Sequence, residues 1–93
     1  MIRRYKDKFT RSIADGTVKK RFPAQLVRRA QLLLNALDVA TELEDLRFPP
    51  GNRLHALEKD RKGQHSLSIN MQFRICFRWV DGWAEDVEIV DYH

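Results

Sequence analysis

The sequence predicts an α+β fold in which helices from the first half of the chain pack on one face of an antiparallel sheet formed by the second half. Apolar residues recur at helical spacing over residues 24–38, and they alternate with polar residues over residues 73–80. The alternating stretch ends at an Asp-Gly pair, which is a strong signal for a two-residue hairpin turn. At 93 residues the chain has the length of a single domain, which we take to span residues 1–93.

Two helices are expected in the first half. Residues 8–15 are a candidate for a short helix, because Gly16 is a typical helix stop. The main helix is expected over residues 24–38, since Pro23 is tolerated in a first turn, where the N–H has no helical partner. Its apolar stripe is assigned to the core and consists of Leu26, Ala30, Leu33, Leu34 and Leu37.

A short helical turn is expected after the main helix. Thr41 and Glu44 have the spacing of a capping box, in which each side chain bonds the backbone N–H of the other residue. The turn is expected to run through Leu46 and to stop at the Pro-Pro-Gly of residues 49–51.

The second half is expected to form a three-stranded meander. Residues 73–80 and 83–90 make its hairpin. An upstream strand contains Leu67 and Ile69, and it is separated from the hairpin by a break at residues 70–72, because one strand from 65 to 80 would be far longer than usual. Two further stretches, residues 53–57 and residues 2–5, are candidates for additional strands.

Side-chain alternation predicts which face of this sheet meets the helices. In the strand over residues 73–80 the core-facing side chains are Phe73, Ile75, Phe77 and Trp79. The other face is then expected to be open and to carry Arg74 and Arg78, joined by Tyr92 if the last strand keeps its phase.

The charge distribution suits a polyanionic partner. Seventeen Lys and Arg against thirteen Asp and Glu give a net charge of +4, and residues 1–31 alone carry ten basic and two acidic side chains. Basic blocks of this kind are typical of proteins that contact nucleic-acid phosphates. The plain alternative is a solvated surface on a small domain.

Several classes of protein are excluded by what the sequence lacks. A single cysteine, Cys76, excludes an internal disulfide framework and a cysteine-based zinc site, and it indicates a reducing compartment. No apolar run has the length of a signal peptide or a membrane span, so a cytoplasmic protein without membrane contact is expected. Metal-ligand spacing, a glycine-rich phosphate loop and a Gly-x-Ser-x-Gly elbow are also missing.

Acid–base chemistry on RNA needs none of these motifs. The 2′-OH of RNA can attack the adjacent phosphate, given a base, an acid and cations for the developing charge. The residues that supply this inventory are His55, Lys59, Arg61, Arg74, Asp91, Tyr92 and His93. A third histidine, His65, is in phase with Leu67 and Ile69, so a packing role is expected for it.

A series of motifs adds a family resemblance. They are Leu54-His55-Ala56-Leu57, Asp60-Arg61-Lys62-Gly63-Gln64, Ser66-Leu67-Ser68-Ile69-Asn70, Gln72-Phe73-Arg74-Ile75-Cys76-Phe77-Arg78-Trp79 and Asp91-Tyr92-His93. In this order and spacing they closely resemble the HigB toxins, the plasmid-maintenance killer proteins of the RelE-like superfamily. Met1-Ile2 before a basic stretch and Pro23-Ala24 before the main helix fit the same pattern, so the resemblance covers nearly the whole chain.

The resemblance implies a RelE-like microbial RNase fold and an activity. The expected protein is the toxin of a type II toxin-antitoxin system, an endoribonuclease that cuts messenger RNA on the bacterial ribosome and so inhibits translation. It would work without a metal or cofactor, and a HigA-like helix-turn-helix antitoxin would neutralise it.

Site residues are implied by the same resemblance. Catalytic roles carry over to His55, Asp91, Tyr92 and His93. One of the two histidines would handle protons, Asp91 would orient or accept, and Tyr92 would position a base or phosphate; the assignment of acid and base stays open. Phosphate and RNA binding is expected of Lys59, Arg61 and Arg74.

Two other hypotheses stay open at this point. The chain has Glu58 before Lys59, so the lysine of the family pattern is displaced by one position, and Ser68 replaces a frequent arginine. Because both changes remove positive charge from the expected RNA path, a non-catalytic RNA- or ribosome-binding module on the same scaffold is the second hypothesis. A purely partner-binding regulator is the third.

Overall fold

The computed structural model describes residues 1–18 and 22–91, in which two helices precede a four-stranded sheet. The helices are α1 (Lys8–Asp15) and α2 (Ala24–Val39), and the strands are β1 (His55–Ala56), β2 (Gln64–Ser68), β3 (Phe73–Val80) and β4 (Trp83–Asp91). The strands lie in the order β1-β2-β3-β4, and each neighbouring pair is antiparallel. This arrangement confirms the predicted α+β fold.

Local capping explains where the two helices begin and end. The side chain of Asp7 accepts a hydrogen bond from the Thr10 N–H at 2.8 Å, which satisfies one of the unpaired donors of the first turn of α1. Gly16 ends α1 with φ at 77°, a left-handed conformation that glycine adopts at little cost. The predicted bounds of α1 are confirmed, and α2 extends one residue beyond its predicted end.

The predicted capping box after α2 was wrong by one residue. A 3-10 helix at Leu43–Arg47 begins at Glu42, whose side chain bonds the backbone of Asp45, while Asp45 bonds back to the Glu42 N–H at 3.1 Å. The carboxylate of Asp45 also accepts the Thr41 N–H at 3.1 Å. These backbone donors lower the pKa of Asp45. Thr41 therefore contributes its backbone to the cap and Glu44 does not close it.

The core lies between α2 and the sheet. Its members from the helix are Ala30, Leu33, Leu34 and Leu37, with Leu26 partly buried, as the leucine stripe predicted. On the sheet, Ile75 and Phe77 are fully buried, and Phe73 and Trp79 are partly buried. Each large side chain fully removed from water stabilises the fold by about 1.5–3 kcal/mol. His65 contacts this core with its ring centroid 5.9 Å from that of Phe77, so its predicted packing role is confirmed.

The two candidate edge segments are present in shortened form. Ile2 and Tyr5 form isolated parallel bridges to Ala84 and Val87 of β4, in the place where residues 2–5 were predicted to lie extended. β1 covers two residues of the predicted 53–57, because Arg53 has a left-handed backbone with φ at 48° and cannot continue a strand.

The sheet face turned away from the helices, here called the far face, is not open as predicted. Ser66 and Cys76 lie on it by alternation, yet both are fully buried. The Arg74 Nε atom lies 2.7 Å from the Ser66 hydroxyl, and burial raises the pKa of the Cys76 thiol while the nearby Arg61 cation opposes that shift. Long cationic side chains therefore cover the middle of this face, which alternation alone does not predict.

No helix in the described part of the chain is long and apolar enough to cross a membrane.

Candidate active site

His55 stands at one end of a row of side chains that crosses the far face. The register pairs His55 with Ser66, Ser66 with Cys76 and Cys76 with Glu88. Because directly paired residues point to the same side of a sheet, all four side chains belong to the far face. His55 is exposed and helps to line a cleft of about 410 Å³, whose other lining residues are Arg53, Leu54, Leu57 and Arg74.

Two hydrogen bonds to described residues hold Arg74 at this cleft. Its Nε atom donates to the Ser66 hydroxyl at 2.7 Å, and an Nη atom donates to the Arg53 carbonyl at 3.0 Å. The first bond anchors the guanidinium to the buried centre of β2, and the second anchors it to the segment that leads into β1. The structure thus brings His55 and Arg74 together. Alternation predicted the face on which Arg74 lies, but it did not predict the position of His55.

Ser66 is a site residue that the sequence analysis missed. It has no charge and no motif of its own, and its alternation with Leu67 indicates only that it faces away from the core. Its full burial follows from the arginine that lies over it. What could have indicated a role for Ser66 is its pairing with His55 of β1 on the far face. That pairing is not evident from the sequence, because it depends on the strand register.

Arg61 contacts the other end of the same row, at Glu88. It closes the 3-10 turn Lys59–Arg61, and its Nη1 atom donates to Gln64 Oε1 at 3.1 Å and to Glu88 Oε1 at 2.8 Å. Lys59 is exposed in the same turn with a left-handed backbone, φ 55°, and it is outside the described lining of the cleft. Of the two predicted phosphate-binding residues in this turn, Arg61 is the one with defined contacts to the row.

Asp91, the last described residue of β4, lies on the face that the predicted phase of this strand gives it, and its catalytic role stays a prediction. Asp91 pairs with Phe73, and Val90 pairs with Arg74, so the Asp91 side chain points to the face opposite the Arg74 guanidinium. Its Oδ2 atom accepts a hydrogen bond from Gln72 Nε2 at 3.1 Å. The structure therefore does not place the Asp91 carboxylate on the cleft side of the sheet. The predicted site residues Tyr92 and His93 lie outside the described residues.

Acidic side chains of β4 form ion pairs with arginine side chains on the part of the far face beside this strand. Glu85 pairs with Arg3 and Arg4 at 2.9 and 3.3 Å, and the bulge residue Asp86, with φ at 53°, lies 3.0 Å from Arg4 and 3.6 Å from Arg78. The Asp86 hydrogen bond is the main cause that raises the pKa of Arg4. These pairs fix the positions of side chains that would otherwise be flexible, although each pair is worth little where it meets solvent.

The arrangement supplies groups for acid–base chemistry on an anionic substrate. An exposed imidazole can take or give a proton at neutral pH, and a fixed guanidinium beside it can stabilise negative charge on a phosphate. Within residues 1–18 and 22–91, no three His, Cys, Asp or Glu side chains are grouped so that they could hold a metal ion. His65 cannot serve the far face, because its ring packs on the helix side, where burial and then the Arg47 charge lower its pKa.

Comparison with known proteins gives consistent matches over nearly the whole chain. The family described as RelE-like toxin of type II toxin-antitoxin system HigB matches residues 3–93. A protein named Toxin HigB-1 from Vibrio cholerae is 38% identical over 85 residues, which cover 90% of each chain. A protein named Endoribonuclease HigB from Proteus vulgaris is 34% identical over 93 residues, which cover all of both chains.

Proposed function

The chain belongs to the HigB-like family, the RelE-like toxins of type II toxin-antitoxin systems, and from this premise we propose that it is an endoribonuclease that cuts messenger RNA on the bacterial ribosome and inhibits translation. A relative that matches it along its whole length carries the name Endoribonuclease HigB. The observation that carries the proposal is the cleft in which the exposed His55 imidazole and the anchored Arg74 guanidinium lie together.

The proposed reaction is a metal-independent transesterification. The 2′-OH of one nucleotide attacks the adjacent phosphate, the 2′-oxygen loses its proton to a base, and the departing 5′-oxygen takes a proton from an acid. His55 performs one of these proton transfers, and the Arg74 guanidinium stabilises the charge that builds up on the phosphate oxygens. The hydrogen bond from Arg74 to Ser66 fixes the guanidinium before the substrate binds, which reduces the reorganisation that the reaction requires.

The remaining site residues complete the proposal. Tyr92 and His93 follow β4, and we assign them the second proton transfer and the positioning of the RNA. Asp91 holds the end of β4 through Gln72, so its part is to orient the residues after it. Lys59 and Arg61 contribute cations to the RNA path beside the cleft.

Two partners follow from the family and its chemistry. A toxin of a type II system has an antitoxin partner, and we propose that the partner here is a HigA-like helix-turn-helix protein. The second partner is the ribosome with its bound messenger RNA, which the cationic side chains of the far face would contact through phosphates. The ion pairs on β4 hold several of these cations in place.

The test compares two histidine variants of the full chain, expressed without antitoxin while the 5′ ends of cellular messenger RNA are mapped. The wild type should arrest growth and produce new ends in phase with codons. His55→Ala should lower the cleavage rate by about 100-fold or more, because a positioned acid or base typically contributes 10²–10⁴-fold. His65→Phe keeps the packing against Phe77 on the opposite face and should cleave like the wild type.

Each outcome separates the hypotheses. Ribosome association of the wild type without new RNA ends would support the non-catalytic binding module and refute the nuclease. Equal cleavage by His55→Ala and His65→Phe, at equal protein levels, would show that the cleft beside Arg74 is not the catalytic site.

A further inference from the structure

Glu88 is a carboxylate in the middle of a cationic surface, and neither the sequence motifs nor the proposed reaction accounts for it. It lies on β4 at the end of the row that begins with His55, and its side chain is only 14% exposed. Its Oε1 atom accepts a hydrogen bond from Arg61 Nη1 at 2.8 Å and lies 3.6 Å from Lys6 Nζ. Three parts of the chain thus meet at this one oxygen: the N-terminal segment, β4 and the turn after β1.

Arg61 depends on such a contact for its position. Its backbone belongs to the turn at Lys59–Arg61, on the β1 side of the sheet, while Glu88 belongs to β4 at the other side. The side chain therefore extends over the far face, where it influences the buried Cys76 thiol. A long arginine side chain has many rotamers, and hydrogen bonds from its terminal nitrogen to fixed acceptors select one of them. Gln64 on β2 and Glu88 on β4 contact the same Nη1 atom from two sides.

We propose that Glu88 is a positioning residue, which holds the Arg61 guanidinium across the far face so that its charge meets the phosphate undergoing cleavage. The proposal rests on the proposed function and deepens it. Glu88 itself does not touch RNA; it acts through Arg61, with Lys6 as a second cation on the same carboxylate.

The charge of Glu88 gives this role a kinetic signature. A carboxylate beside a cationic cleft weakens the attraction for a polyanion, so removing it should not weaken RNA binding. Removing it also takes away the charged acceptor that Arg61 Nη1 has on β4, so the cation is positioned less precisely for the transition state. A loss of folded protein alone would also lower the apparent kcat at unchanged KM, so kcat is expressed per folded molecule, and the loss for Glu88→Ala should persist after that normalisation.

Glu85 provides a matched control on the same strand. Its side chain is 10% exposed, and it forms ion pairs with Arg3 and Arg4. Its cross-strand neighbour is Arg78, while that of Glu88 is Cys76. Glu85→Ala therefore removes the same charge from a similar depth and breaks a similar number of ion pairs. It does not touch the contact between Glu88 and Arg61.

The experiment measures cleavage of a 5′-labelled messenger RNA on purified ribosomes by the full-length chain and its variants. Glu88→Ala should lower kcat by about 10-fold with KM unchanged or lower, and Arg61→Ala should lower kcat by about 100-fold, the loss typical of a preorganised charge donor. Glu88→Gln keeps an oxygen that can accept the Arg61 hydrogen bond, so it should recover most of the wild-type kcat. Glu85→Ala releases Arg3 and Arg4, which the proposed function assigns to RNA contact, so its effect should fall on KM while kcat stays within about 2-fold of the wild type.

The double variant Arg61→Ala with Glu88→Ala decides the mechanism. It should be no slower than Arg61→Ala alone, since Glu88 acts only through Arg61. Additive losses, or equal kcat values for Glu88→Ala and Glu85→Ala, would overturn the proposal. Absence of cleavage by the wild type would instead refute the proposed function, so the two failures are distinguishable.

Discussion

Replacing Ser66 by alanine is the sharpest test of how the cleft is assembled. The substitution removes one oxygen atom from a fully buried position, and that oxygen accepts a hydrogen bond from Arg74 Nε at 2.7 Å. The bond from Arg74 to the Arg53 carbonyl is left in place. The change therefore loosens one of two described anchors of the guanidinium without altering any charge.

The expected magnitude follows from the kind of bond that is lost. A hydrogen bond to a charged group is worth about 1.5–3 kcal/mol when its donor stays desolvated. Arg74 is only partly buried, so water can replace part of the lost contact, and we expect about 1 kcal/mol in the free energy of unfolding. If the same contact holds the guanidinium in the transition state, kcat should fall by roughly 5-fold, the rate equivalent of that energy.

The assay combines urea unfolding with cleavage of ribosome-bound messenger RNA. Ser68→Ala is the control, because Ser68 lies two residues along the same strand and face, and its hydroxyl donates to the Asn70 carbonyl. Ser66→Ala should be slower than Ser68→Ala by the stated factor. Equal kcat values for the two variants would refute the argument that Ser66 positions Arg74.

Two further predictions concern the half-buried His65 imidazole and the fully buried Cys76 thiol. The pKa of His65 is lowered by burial, so the unfolded chain binds more protons than the folded chain below the ordinary histidine pKa of about 6.5. The free energy of unfolding should therefore fall as the pH drops from about 7 to 5, and His65→Phe should remove that part of the loss in urea titrations; an unchanged slope would contradict the assignment. The Cys76 thiol is fully buried and its pKa is raised, so a thiol reagent should label it only after urea unfolding, and rapid labelling of the native chain would contradict its burial.

Much of the fold could be predicted from the sequence because its determinants are local. Gly16 marks the end of α1, and the leucine spacing alone identifies the buried side of α2. The Asp81-Gly82 pair, with both residues at positive φ, closes the hairpin between β3 and β4 where the alternation of apolar residues stops. Each of these signals lies within one element or one turn, so the prediction did not depend on any tertiary contact.

The features that were missed depend on contacts between distant residues. Ser66 and Cys76 are buried on the far face because side chains from other elements cover them, and alternation cannot predict such a cover. The capping box is shifted by one residue because the Asp45 carboxylate accepts the N–H groups of both Thr41 and Glu42, with Glu42 as the N-cap.

The candidate site also contains residues that could be predicted from the sequence and residues that could not. His55 and Arg74 were identified by residue type and by resemblance, and their shared cleft is a result of β1 pairing with β2. Glu88 was overlooked because acidic residues do not normally suggest an RNA-cleaving site. Its importance becomes visible only through its partners, Arg61 and Lys6, which are distant in sequence.

The parallel bridges between the N-terminal segment and β4 also affect how this molecule can meet other molecules. An outer strand with unpaired backbone groups can recruit a strand from another chain and start aggregation. Here Arg3 and Lys6 donate their N–H groups to the carbonyls of Ala84 and Val87, at 2.8 and 2.9 Å. Intermolecular strand addition along that part of β4 is therefore blocked by the chain's own backbone, and the cationic side chains of the same segment repel a second copy that approaches it.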